Sequence, residues 1–196
     1  MKSVFRLLPV LALATVVAPA RADEVTDNLD SAKTAYEAGN YSEAITAIDY
    51  ANQLIRQKKG DEMKKLLPDA PKGWEADEAE SEAAATSMLG GGVTAKRSYR
   101  RGDSSVTIKI QSDSPMLQAT AMMLSNPMFM SSNGAKMETI KGQKVSVSFK
   151  AGGDNGEIKA VVDSRYLVEI DGSSLTRDDL VSFAKALEYA KLSALK

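Results

Sequence analysis

The chain has no histidine and no cysteine. Their absence excludes disulfides, thiolate nucleophiles, histidine general bases and every metal site built on imidazole or thiolate. Stability therefore has to come from packing, and the commonest hydrolytic constellations are gone. Aromatic residues make up only 6% of the chain, with a single Trp, so each one carries weight in any core. Neither sign of charge dominates: 25 Lys and Arg face 26 Asp and Glu. A chain so balanced lacks the basic excess of a nucleic-acid binder. After the N-terminus, no run approaches the roughly 18 uncharged residues of a membrane-spanning helix.

The one marked apolar run is N-terminal. Lys2 and Arg6 precede residues 7–18, and Ala20-Arg21-Ala22 forms a small-x-small site, the pattern of a secretory signal peptide. Cleavage after Ala22 is expected, giving an exported, periplasmic protein. No Cys follows that site to carry a lipid anchor. Without Lys2, Arg6 and Arg21, 22 basic residues remain against 26 acidic ones. The chain from Asp23 onward is long enough for one domain with an appendage.

From residue 144 the pattern becomes regular. Val145, Val147 and Phe149 alternate with Ser146 and Ser148, and Ile158, Ala160 and Val162 repeat that period, as half-buried strands do. A third run, residues 166–170, follows after only Asp163-Ser164-Arg165, so the last two strands should pair as an antiparallel hairpin. Thr176 with Asp179 is a capping box, and Leu175 can staple to Leu180. Leu180, Phe183, Ala184, Leu187 and Ala190 then form one apolar stripe, predicting one continuous helix that covers the sheet. Upstream, residues 93–100 and 105–111 read as a hairpin around Arg101-Gly102-Asp103-Ser104. Ser114-Pro115 opens a helix to about residue 125, and residues 135–140 form a short strand. Residues 75–88, acidic and Ala-rich, fit a strand or a helix. The triple glycine 90–92 lacks the Lys-Ser/Thr of a phosphate loop.

At the N-terminal end, a helix over residues 29–38 is ended by Gly39-Asn40. A second is expected from residue 42 to 58, with another turn or two over 61–67 before Pro68. The resulting organisation is a signal peptide (1–22), a helical hairpin (23–67), a Pro/Gly linker (68–73) and an α+β domain (74–196) opened by Trp74. The fold class is α+β, an N-terminal helical hairpin followed by an antiparallel sheet flanked by helices. Ala32, Tyr36, Gly39, Tyr41, Ala44, Ile45, Ile48 and Ala51 fall where a tetratricopeptide repeat places its packing residues, so the hairpin resembles one such unit. It lacks that repeat's early Trp and closing Pro, and no second copy follows. One unit cannot bury its own face; the hairpin either packs on the sheet or presents a surface to another chain. The element order from Val93 onward is similar to the PsbP-like α/β/α sandwich family, a resemblance that implies a binding or assembly factor rather than an enzyme. Gly73-Trp74, Gly90-Gly91-Gly92 and Asn126-Pro127-Met128 also resemble segments of uncharacterised exported proteobacterial proteins, a similarity that carries no activity.

Chemistry-bearing clusters are few. Met116, Met122, Met123, Met128, Met130 and Met137 crowd one stretch. The plain expectation is that they fill gaps in the core. As an adaptable surface, Met116, Met122, Met123, Met128 and Met130 instead become candidates for contact with a partner or apolar ligand. A Cu(I) site from Met122, Met128 and Met130 is a third reading, although only one Met-x-Met is present. Lys96, Arg97, Arg100 and Arg101 make one strand basic, as expected of an edge strand protected against aggregation. Alternatively Arg97, Arg100 and Arg101 offer a patch to an acidic partner or anionic lipid. The Arg-Gly-Asp triplet at 101–103 matches an adhesion motif, but Gly and Asp are ordinary turn residues. Glu75, Asp77, Glu78, Glu80 and Glu82 read as a solvated run. No catalytic, cofactor-binding or metal-ligating residue is named. The expectation is a non-enzymatic periplasmic protein acting through protein contacts; the alternative is a carrier of an apolar small molecule or lipid under the Met-rich helix.

Overall fold

Along β3 (Gly92–Arg101) and β4 (Ser104–Ser112) the buried side chains Val93, Ala95 and Tyr99 meet Val106, Ile108 and Ile110 on one face. The computed structural model describes residues 23–84, 92–125, 135–149 and 153–195; the expected signal peptide lies outside them. The remaining strands are β1 (Glu75–Ala76), β2 (Glu80–Ala84), β5 (Ala135–Ile140), β6 (Gln143–Phe149), β7 (Gly156–Val162) and β8 (Tyr166–Ser173). They form one antiparallel sheet of eight strands, in the order β1, β3, β4, β8, β7, β6, β5, with β2 also pairing β3. The ambiguous stretch after Trp74 is thus two short strands sharing one side of β3, β1 beside Tyr99 and Arg100 and β2 beside Gly92 to Lys96. This corrects the edge-strand reading of the basic segment. β3 is flanked on both sides, so its cations do not guard an open edge.

Three hairpins set the register, and each turn uses left-handed backbone. Gly102 has φ +57° between β3 and β4, Lys141 and Gly142 have φ +48° and +80° between β5 and β6, and Asp163 and Ser164 both have φ +51° between β7 and β8. Paired positive φ values match the right-handed twist of the strands they join. The expected β7–β8 hairpin is present, pairing Val162 with Tyr166 and Ile158 with Ile170.

Helices cover both faces. On the apolar face lie α4 (Arg177–Ala186), α5 (Tyr189–Ala194) and the C-terminal end of α2 (Tyr41–Lys64), and their Leu180, Phe183, Ala184, Leu192 and Met63 join the sheet in one core. The capping box of α4 is formed: Thr176 Oγ1 accepts from the Asp179 amide at 3.1 Å, and Asp179 accepts from the Thr176 amide at 3.2 Å. Leu175 and Leu180 both lie against the Cα of Gly172, where a Cβ would fall under 3 Å from each. The single C-terminal helix expected from the stripe is corrected to two. Leu187 is extended, and Lys141 Nζ reaches its carbonyl at 3.2 Å and Glu188 at 2.8 Å. That break rotates the chain so that Tyr189 and Leu192 bury while Ala190 stays exposed. On the other face α3 (Pro115–Ser125) packs over β7 and β8, near the buried Leu167.

The N-terminal helices α1 (Glu24–Glu37) and α2 are longer than the periodicity suggests. Asp23 caps α1, and α2 continues through Gly60 to Lys64 without a break. Glycine is required there by proximity. A Cβ at residue 60 would lie 3.0 Å from Ser81 Cβ and 3.2 Å from Val93 Cγ1, so the helix rests almost directly on β2 and β3. α1 packs chiefly on α2, and the buried Ala32 and Ala35 of one and Ala44 and Ala51 of the other let the two helices approach closely.

Phe183 is the centre of the apolar face, its ring 4.9 Å from both Trp74 and Tyr99. Phe183→Ala is expected to destabilise the protein by about 3–5 kcal/mol. Urea unfolding followed by Trp74 fluorescence measures it; a loss under about 1 kcal/mol would mean that this ring is not central to the core.

Candidate functional site

The hairpin's apolar residues divide by size. Ala32, Ala35, Ala44 and Ala51 are buried, whereas Leu29, Tyr36, Tyr41, Ile45, Ile48 and Ile55 are exposed, Tyr36 by 65% and Ile45 by 61%. The Tyr36 and Tyr41 rings meet at a centroid distance of 5.8 Å, which places the exposed stripes of the two helices side by side. Leu29 lies one heptad before Tyr36, and Ile45 and Ile48 follow Tyr41 at i+4 and i+7, so all belong to one face. Beyond Ile55 α2 leans on the sheet; the part before it projects as an arm with one apolar side open.

The four described methionines of this cluster do not fill the core. Met116, Met122 and Met123 on α3 and Met137 on β5 are exposed, Met122 by 75%, which corrects the gap-filling expectation. The reason lies in which side of α3 meets the sheet. Thr120 is its buried residue and Leu117, Ala121 and Leu124 are half buried, leaving the methionines on the outer side. Met128 and Met130 lie outside the described residues. A groove of about 910 Å³ runs between α3 and the strands β5 and β6, lined by Ala121, Leu124, Met137, Thr139, Lys144 and Val161 among others.

The arginines do not join this surface. Arg100 and Arg101 sit at the far end of β3 and β4, about 27 Å along the strand from the start of α3, while Arg97 lies mid-strand opposite Ile108. Nor do they form a free basic patch. Arg97 donates to the carbonyls of Asp77 at 2.9 Å and Pro68 at 3.1 Å, Arg100 pairs with Asp77, and Arg101 pairs with Asp179 at 2.8 Å. Arg101 also lies 4.5 Å over the Trp74 ring. An Arg side chain engaged in this way is not presented by the Arg-Gly-Asp turn. The acidic run is likewise occupied in part, with Asp77 on Arg100 and Glu80 on Lys96 at 3.2 Å.

Sequence reasoning passed over a row of charges across the second face. Lys96, Lys109, Glu169 and Lys159 are successive register partners on β3, β4, β8 and β7. Burial pushes the Glu169 carboxyl up from its ordinary value, opposed by the charges of Lys159 and Lys109. For Lys159, burial pulls downward, but its hydrogen bond to Glu157 and the surrounding carboxylates outweigh it and leave it raised. Glu169, directly opposite both Lys109 and Lys159, gives two favourable cross-strand pairs, whereas Lys96 opposite Lys109 is a like-charge pair. The period-two pattern marked these residues as outward-facing; their pairing depends on strand order, which the pattern does not contain.

Comparison with protein-family models, curated proteins and solved structures returns no match. The arm and the α3 groove therefore rest on their own geometry.

The Arg101–Asp179 pair has a pH signature. The hydrogen bond from Arg101, with those of Thr176, holds Asp179 at about 2 against an ordinary 3.8. A lowered carboxylate adds stability above the unfolded value, and that stability is lost as pH falls from about 4 to 2. Arg101 is 41% exposed, and solvent screening limits the contribution to about 1 kcal/mol. Urea unfolding of Arg101→Gln should show a shallower acid limb over that window than the parent. Identical limbs would mean that the pair contributes nothing.

Proposed function

We propose that the protein is a non-enzymatic, exported binding or assembly protein that acts through protein contacts of its helical arm. The observation that carries this reading is the uncovered side of the hairpin, with six large apolar residues exposed on the two packed helices. Burying a side chain such as Ile or Leu is worth about 1.5–3 kcal/mol when complete, so half-exposed residues in such number leave a substantial gain for an occupant. Contiguous exposed apolar patches mark interaction sites more often than they occur by chance. The resemblance of the hairpin to a tetratricopeptide unit and of the sheet to binding factors agrees with this. Immobilised protein should capture a partner from periplasmic and membrane extract, and Ile45→Ser with Ile48→Ser should lose it with the fold intact. Equal capture by the variant would sink the assignment to the arm.

The groove beneath α3 favours a second reading, a carrier of an apolar small molecule or lipid. Its volume suits a ligand of drug size or larger, and Leu124, Met137 and Val161 give it apolar walls. Native mass spectrometry of protein purified without detergent is expected to reveal a bound apolar mass on this reading. A clean apo mass in repeated preparations argues against it.

A further inference from the structure

The arm carries almost only negative charge. Residues 23–55 contain seven carboxylates and a single cation, Lys33, whereas residues 56–196 contain 21 basic and 19 acidic residues. Asp23 pairs with Lys58 at the base of the arm, and Glu24 accepts the Tyr50 hydroxyl at 2.9 Å. The exposed side chains of Asp30, Glu37 and Asp49 have no ion-pair partner among the described residues. Their positions matter. Asp30 and Glu37 each follow by one residue an apolar member of the open face, Leu29 and Tyr36, and Asp49 follows Ile48 in the same way. One residue is a rotation of about 100° on a helix, so these carboxylates stand on the outer flanks, away from the seam between α1 and α2. The result is a mainly apolar floor between two helices, interrupted on α1 by the exposed Lys33 between Leu29 and Tyr36, with a carboxylate rim on each side.

On α2 the floor residues Tyr41, Ile45, Ile48, Asn52 and Ile55 are spaced four, three, four and three apart, the seam spacing of helix-on-helix packing. The same stripe runs on to Met63, which is fully buried in the sheet's core, so the open face continues an established interface. A third helix laid in the groove would meet apolar side chains below and negative charge at both edges. A second copy of the arm would bring seven carboxylates against seven, and an anionic membrane would be repelled in the same way. We propose that this face docks a cationic amphipathic helix of a partner protein, laid along the groove between α1 and α2.

This inference rests on the protein-contact reading above, and its test separates the two. The probe is a fluorescein-labelled Leu/Lys peptide of about 18 residues, five helical turns, with its leucines on one face, titrated against the purified protein. Fluorescence anisotropy should report micromolar binding that weakens as salt rises from about 50 to about 500 mM, where screening shortens to a few ångströms. A Leu/Glu peptide of the same pattern and a scrambled Leu/Lys peptide should each bind at least about tenfold more weakly. Ile45→Ser with Ile48→Ser, and separately Asp30→Lys with Asp49→Lys, should lose binding by a similar factor while circular dichroism stays unchanged. Equal affinity for the Glu peptide or the scrambled one, or full binding by either variant, overturns the proposal, as does sedimentation evidence that the arm pairs with a second copy. If the serine variants still lose a captured partner while charge makes no difference, protein contact through the arm survives and the cationic helix falls. If they lose nothing, both fall.

Discussion

The junction at Trp74 fixes where everything else points. Its ring meets Phe183 edge-on at 87° and is covered by the Arg101 guanidinium, so one side chain ties the incoming chain to α4 and to the β3–β4 turn. Just before it, Pro68 offers its carbonyl to both Tyr99 Oη at 2.7 Å and Arg97 Nη1 at 3.1 Å. A Pro/Gly-rich stretch would be a loose tether by composition. Here its backbone is fastened at both ends, and burial of Tyr99 pushes its phenol up to about 12, keeping it a neutral donor. The orientation of α2, and with it the arm, follows from those bonds.

The two ends of the molecule solve opposite problems. In the sheet, alternation hides the apolar residues on one side, and the outward side pairs its charges across strands. In the hairpin, small residues take the buried positions and large ones are left outside. Alanine against alanine lets two helices approach closely and gain many weak contacts, but it removes little apolar surface from water. The arm is therefore held by fit and by its joint with the sheet, not by a core of its own.

That difference also explains how far the sequence could be read. β4 and β7 were legible because their side chains alternate strictly, and the α4 cap because Thr176 and Asp179 act locally. The break at Leu187 was not, since it depends on Lys141 and on Arg165, which donates to the carbonyls of Ser193 and Leu195, far away in the chain. β1 and β2 carry Glu, Ser and Ala rather than β-branched residues and owe their form to pairing with β3. The methionines were misjudged because composition says how flexible a side chain is and nothing about which side of α3 faces the sheet. In the hairpin, Ala32 and Ile45 alike were marked as packing residues; only the distance between the helices decides that the smaller one goes inside.

α2 is one uninterrupted helix of 24 residues, about 36 Å at the usual rise per residue. One end is clamped in the core at Met63 and the other reaches the tip at Tyr41. Such a rod behaves as a lever with Gly60 close to its fulcrum, where the helix lies flat on β2 and β3. A sideways push at the tip is opposed only by the short clamped end, so the torque falls on Met63, Ser81 and Val93, a few residues from the Pro68 turn. Bending the rod would cost its hydrogen bonds, so a load on its tip is passed along its length to β2 and β3, where Gly60 lies against Ser81 and Val93.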